Sequence, residues 1–216
     1  MTVPFPRLRR RLVAILRGVK PDEALAIGAA VFEAGIEAIE VPLNSPDPFR
    51  SIELLARSLP HSALVGAGTV LTSAEVDNLH NAGGRLLVSP NIDRSVMERA
   101  VHHGMVTMPG VFTPTEAFLA LSLGASALKF FPASALGTKG ISAIKAVLPK
   151  DAIVGAVGGV SEKDFADYAK IGVSTFGLGS SLYTPGLGVE AVAGRALAAV
   201  AEWDAVFARG QEPGSS

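Results

Sequence analysis

The chain has 216 residues, of which 49% are apolar and only 18% charged, with 23 glycines and no cysteine. Such a composition supports a packed core and excludes disorder of the whole chain. A formal net charge of −1 lacks the basic surplus of a nucleic-acid binder, no apolar run nears the roughly 20 residues of a membrane span, and the missing cysteines exclude disulfide frameworks, thiolate nucleophiles and zinc sites built on sulfur.

The basic opening, with Arg7, Arg9, Arg10 and Arg11, leads into neither an apolar signal region nor a small-residue cleavage site, and reads as a solvated start. With the lack of cysteine, this predicts a cytoplasmic protein. Beyond it, eight short apolar or β-branched runs begin at Leu12, Ala38, Leu64, Leu86, Val106, Ala127, Ile153 and Thr175, their starts separated by 26, 26, 22, 20, 21, 26 and 22 residues. Each has the length and composition of a buried parallel strand and precedes a segment of helical period. Helix starts are marked at Pro21-Asp22-Glu23, Ser45-Pro46-Asp47, Thr72 to Glu75, Asp93, Thr113 to Glu116 and Ser161 to Asp164. Gly35, Gly83, Gly104, Gly124 and Gly172 sit where helix ends favour the left-handed region. Eight such units predict a (β/α)8 TIM barrel, an α/β fold, as a single compact domain over 1–207, with 208–216 as a flexible tail. A doubly wound open sheet explains five or six units well and eight less well.

Active sites in a barrel lie at the C-terminal ends of the strands, so polar residues there become the candidates. Lys129 interrupts the apolar run from Ala127 to Pro132. It either reaches solvent past Pro132 or faces the interior, where desolvation favours the neutral amine that forms a Schiff base with a carbonyl substrate. Glu40 interrupts Ala38 to Pro42, and strand alternation turns it inward. It serves as a proton-transfer group or as the buried partner of Arg17. Arg17, at the end of the first run, is placed to grip a carboxylate or phosphate. Thr69 follows Gly66-Ala67-Gly68, which reads as a tight turn or as a site for backbone approach; it lacks the third glycine of a dinucleotide fingerprint. Val157-Gly158-Gly159 and Gly179-Ser180-Ser181 close the last two runs, where barrels often bind phosphate through backbone N–H groups and a short helix N-terminus. Two tight turns are the plainer alternative. His61, His80, His102 and His103 fall in helices or helix-to-strand links, on the face opposite the expected site, and read as surface residues without metal-ligand spacing.

Taken together, Ala14-Ile15-Leu16-Arg17-Gly18, the Glu40-to-Pro46 segment EVPLNSP, Lys129-Phe130-Phe131-Pro132-Ala133, the segment from Met108 to Glu116, Val157-Gly158-Gly159-Val160 and Gly179-Ser180-Ser181 resemble the class I 2-keto-3-deoxy-6-phosphogluconate and 2-keto-3-deoxy-6-phosphogalactonate aldolases, over about residues 10 to 205. The resemblance implies Schiff-base cleavage of a phosphorylated keto sugar acid to pyruvate and glyceraldehyde 3-phosphate. Lys129 is then the nucleophile and Glu40 the proton-transfer group. Arg17 and Thr69 hold the carboxylate, Pro90 and Phe131 shape the pocket, Gly158, Gly159, Gly179 and Ser180 take the phosphate, and Ser181 lies near the C4 hydroxyl. No metal or organic cofactor is implied, and the usual assembly is a homotrimer. Family members acting on the gluconate isomer typically carry Thr before the Gly-Gly pair and EVTLR on the second strand. Val157 and Glu40 to Asn44 depart from both patterns and point to the galactonate isomer. A gluconate or dual-specificity aldolase, another enzyme on a phosphate-binding barrel, and a phospho-sugar binding protein are the alternatives.

Overall fold

The computed structural model describes residues 2–207, so the tail expected at 208–216 lies outside the described residues. Strands β1 (Leu12–Ile15), β2 (Ala38–Pro42), β3 (Leu64–Gly68) and β4 (Leu86–Val88) alternate with helices α1 (Pro21–Glu33), α2 (Pro48–Ser58), α3 (Ser73–Asn81) and α4 (Arg94–His102). The fifth unit has two short strands, β5 (Val106–Met108) and β6 (Gly110–Val111), and then α5 (Pro114–Ser122). β7 (Leu128–Phe130), α6 (Ala133–Lys145), β8 (Val154–Val157), α7 (Phe165–Lys170), β9 (Thr175–Leu178) and α8 (Val189–Phe207) complete the chain.

All pairings are parallel, in the order β5-β4-β3-β2-β1-β9-β8-β7-β6. The two ends of that order are one stretch of chain divided at Pro109. β5 pairs with β4 on one side, β6 with β7 on the other, and the Pro109 carbonyl accepts from the Lys129 N–H at 3.0 Å. Proline has no N–H to give a ladder, so it divides the strand without opening the sheet. The result is an eight-stranded barrel inside a ring of helices, and the open-sheet alternative does not hold.

Alternation along each strand separates two cores. Leu12, Ile39, Val41, Val65, Leu128 and Phe130 face the helices. Val13, Ile15, Ala38, Leu64, Met108 and Val157 fill the barrel, with Phe5 from the N-terminal segment packed among them. The same period turns Glu40, between Ile39 and Val41, and Lys129, between Leu128 and Phe130, into the barrel; both are buried.

Thr72, Asp93 and Thr113 cap α3, α4 and α5 by accepting from the N–H groups of Glu75, Val96 and Glu116. The five expected helix-end glycines all have positive φ, from +67° to +105°. One feature differs from expectation. Ser45 starts no helix: it is buried and its Oγ accepts from the Gly18 N–H at 2.9 Å, while α2 begins after Asp47. Of the two readings of Gly66-Ala67-Gly68, the turn is the one that fails: the segment is the second half of β3, and the backbone of the next strand approaches closely at Gly66.

Candidate active site

At the C-terminal ends of the strands, a cavity of about 350 Å³ is lined by Arg17, Glu40, Lys129, Phe131, Val157, Gly158, Gly159, Gly179 and Ser180, with Ile15, Val160 and Gly177. The last three were not singled out in the sequence. Ile15 carried a signal, since its place before Leu16 and Arg17 makes it the last inward side chain of β1. Thr69, Pro90 and Ser181 are not among the lining residues. Ser181 instead donates to the Val160 carbonyl at 3.2 Å and so ties the loops after β8 and β9 together. Thr69 directly follows β3 with φ +57°, a strained left-handed conformation for a β-branched residue of the kind that concentrates at functional sites.

Lys129 Nζ lies 4.5 Å from the centre of the Phe131 ring. Burial pushes its amine below the usual lysine range; the negative charge of Glu40 opposes this shift and the positive charge of Arg17 adds to it. A larger neutral fraction near pH 7 is what a nucleophilic amine requires. Glu40 is driven the other way, from 4.5 to about 7, because the loss of solvent outweighs the attraction of Lys129 and Arg17. Its Oε2 has no hydrogen-bond partner among the described residues. The alternative reading of Glu40 as the ion-pair partner of Arg17 does not hold: Arg17 Nη1 donates to Asn44 Oδ1 at 2.6 Å, beyond the end of β2. The carboxylate is thus left uncommitted inside the cavity, poised to exchange a proton near neutrality.

The glycine loops supply the other end of the cavity. Gly158 and Gly159 have φ +91° and +69°, and the Gly158 carbonyl accepts from the Ser134 N–H at 3.1 Å. Open space faces the position a Cβ would take on Gly179. The Gly179 carbonyl accepts from the N–H groups of Leu182 and Tyr183, so this loop is a hydrogen-bonded turn, and of the two loops only the one after β8 leads into a short helix, the 3-10 turn Glu162–Asp164. A Cβ on Gly158 would press on the Phe131 ring and one on Gly159 on Ser134, so glycine at both positions permits the left-handed turn and the close packing of this loop on the chain after β7.

Of the histidines, His61, His80 and His102 are exposed as expected. His103 is not fully so: its side chain is 15% exposed, its Nε2 lies 2.7 Å from Asp77 Oδ1, and its ring stacks on His80. Among the described residues, no three His, Asp or Glu side chains gather as a metal site.

A buried carboxyl held near pH 7 costs stability when it ionises. Raising Glu40 from 4.5 to about 7 corresponds to about 3 kcal/mol. This contribution favours the folded state below the unfolded-state value and is lost as pH rises through 7. Glu40→Gln is therefore expected to raise Tm by several degrees at pH 8, with a smaller gain at pH 5, in parallel thermal melts.

A family model described as KDPG and KHG aldolase matches residues 7–192. A protein of Rhizobium meliloti named probable 2-dehydro-3-deoxy-6-phosphogalactonate aldolase is 59% identical over 95% of this chain and 97% of its own. The 2-dehydro-3-deoxy-6-phosphogalactonate aldolase of Escherichia coli is 51% identical over 88% of this chain and 92% of its own. A solved structure described as native KDPGal superposes with a TM-score of 0.91 at 47% identity, covering 96% of this chain and all of that one.

Proposed function

Because the chain belongs to the KDPG and KHG aldolase family, we propose that it is a 2-dehydro-3-deoxy-6-phosphogalactonate aldolase and that Lys129 and Glu40 do its chemistry. The observation that carries this reading is the pairing, in one cavity, of a desolvated lysine and a buried, uncommitted carboxyl group.

The neutral Nζ of Lys129 attacks the C2 ketone, and loss of water leaves an iminium. Ionised Glu40 takes the proton of the C4 hydroxyl, directly or through water. The C3–C4 bond then breaks, its electron pair passing to the iminium, and C4 leaves as the aldehyde of glyceraldehyde 3-phosphate. Protonated Glu40 returns its proton to C3 of the enamine. Hydrolysis of the resulting iminium releases pyruvate and restores the amine. Phe131, facing Nζ, favours the cationic intermediates through its ring face. Arg17, steadied by Asn44, receives the pyruvate carboxylate together with Thr69. Gly158, Gly159, Gly179 and Ser180 receive the phosphate, 2 loops that open on the cavity. Pro90 supports the pocket from the end of β4 without lining the cavity, and Ser181 acts by joining the two phosphate loops. The residues themselves supply the nucleophile and the proton carrier, so the reaction as written needs no cofactor. We further propose that the chain acts in galactonate breakdown, in the cytoplasm and as a homotrimer. No helix among the described residues is long and apolar enough to cross a membrane.

The test is to compare cleavage of the two C4 epimers, the galactonate and gluconate forms, by kcat/KM. A preference for the gluconate form would reassign the substrate. Val157, a buried side chain just before Gly158, lines the cavity without offering a hydrogen bond. Val157→Thr adds a hydroxyl at nearly constant volume and is expected to move the ratio toward the gluconate epimer by about tenfold, on the scale of one hydrogen bond.

A further inference from the structure

We propose that the missing side chain at Gly68 holds the Glu40 carboxyl group in its working position, which makes Gly68 a positioning residue of the aldol chemistry. This rests on the reading of Glu40 as the proton-transfer group. A Cβ built on Gly68 would lie 1.9 Å from Glu40 Oε2, 2.4 Å from Cδ and 2.6 Å from Oε1, so the whole carboxyl group occupies the volume of a methyl. Oε2 has no hydrogen-bond partner among the described residues, so shape rather than hydrogen bonding confines it. Directly after Gly68 the chain turns into the left-handed region at Thr69.

The neighbouring glycine provides the contrast. A Cβ on Gly66, two residues earlier on β3, would lie 1.8 Å from the Leu86 carbonyl oxygen and 2.5 Å from its carbon. That obstacle is the backbone of the next strand and cannot move aside. The obstacle at Gly68 is the end of a flexible side chain. Alanine at 66 must therefore break the fold, whereas alanine at 68 leaves the barrel intact and displaces Glu40.

The experiment compares Gly68→Ala, Glu40→Asp and their double variant. Gly68→Ala is expected to keep Tm within about 5 °C of the parent and to keep forming the borohydride-trapped pyruvate adduct on Lys129. Its kcat should fall by about 100-fold, the scale of a displacement near 1 Å at a reacting group. Aspartate is shorter by one methylene and clears the methyl. Glu40→Asp should thus lower kcat in the Gly68 parent but raise it in the Gly68→Ala background, a rescue that a merely structural defect would not show. Full kcat in Gly68→Ala overturns the proposal, as do losses that simply multiply in the double variant. If Gly68→Ala melts low, recovery of both Tm and kcat by the added Glu40→Asp assigns the clash to the carboxyl group, and no recovery overturns the assignment. Glu40→Gln separates this from the underlying reading. Unchanged cleavage there removes both, whereas slow cleavage in Glu40→Gln beside full-rate Gly68→Ala removes only the role of Gly68.

Discussion

Lys129→Met is expected to lower kcat by about 10⁴-fold or more, the scale on which removal of an enzyme's nucleophile is felt. Methionine keeps most of the stem that packs in the barrel and removes the amine. Lys129 is buried, and among the described residues its side chain enters no ion pair within 4.0 Å. Deleting an unpaired charge from such a place should leave Tm unchanged or higher, so the lost activity is not lost folding. Borohydride added with pyruvate, followed by peptide mass spectrometry, checks the chemistry itself. The parent should carry a reduced pyruvyl group on Lys129 and the variant none. A fully active parent whose adduct is absent, or sits on Lys139 or Lys145 of α6, would falsify the Schiff-base assignment.

The second large effect belongs to Glu40→Gln. Glutamine preserves the shape over Gly68 but cannot take a proton, so cleavage should slow by about 10² to 10⁴-fold, the usual contribution of a general base. The pyruvate adduct on Lys129 should still form, because iminium formation and C–C cleavage are separate steps. The pH profile gives an independent check. With the Glu40 carboxyl raised to about 7, its base form is scarce at pH 5 and dominant at pH 9, so the parent's kcat should rise through neutrality to a plateau. The variant should lack this rise. A variant with the parent's rate and profile would return Glu40 to a structural role.

Much of this site was visible in the chain because charge is sparse there. A lysine among Leu128 and Phe130 and a glutamate between Ile39 and Val41 stand out against apolar strands, and the period of two assigns each a direction. Strand starts and the caps at Thr72, Asp93 and Thr113 were equally local signals, depending only on neighbours within one turn. What escaped the sequence depends on distant pairs. Arg17 chooses Asn44 over Glu40 because of how two loops meet above the barrel. Gly66 and Gly68 resemble a turn until β4 is laid beside one and Glu40 beside the other. The division of the fifth strand at Pro109 makes sense only once β4 and β7 are in place to pair with its two halves. The cavity lining at Val160 is likewise set by loop packing, for which no periodicity exists, whereas Gly177 lies on β9 between the helix-facing Phe176 and Leu178 and its inward direction follows from the period of two.

Phe5, packed with Leu64, Ala127 and Val106 inside the barrel, stops one end of it. The catalytic chamber is therefore a cup with a single mouth rather than a tunnel, and traffic through it is sequential. In the proposed reaction the aldehyde fragment carries its phosphate on the Gly158–Gly159 and Gly179–Ser180 loops, while the three-carbon fragment stays bonded to Lys129. On that reading the covalent link and the single mouth together set the departure order: glyceraldehyde 3-phosphate is to leave first, water to enter by the path it has vacated, and pyruvate to leave last.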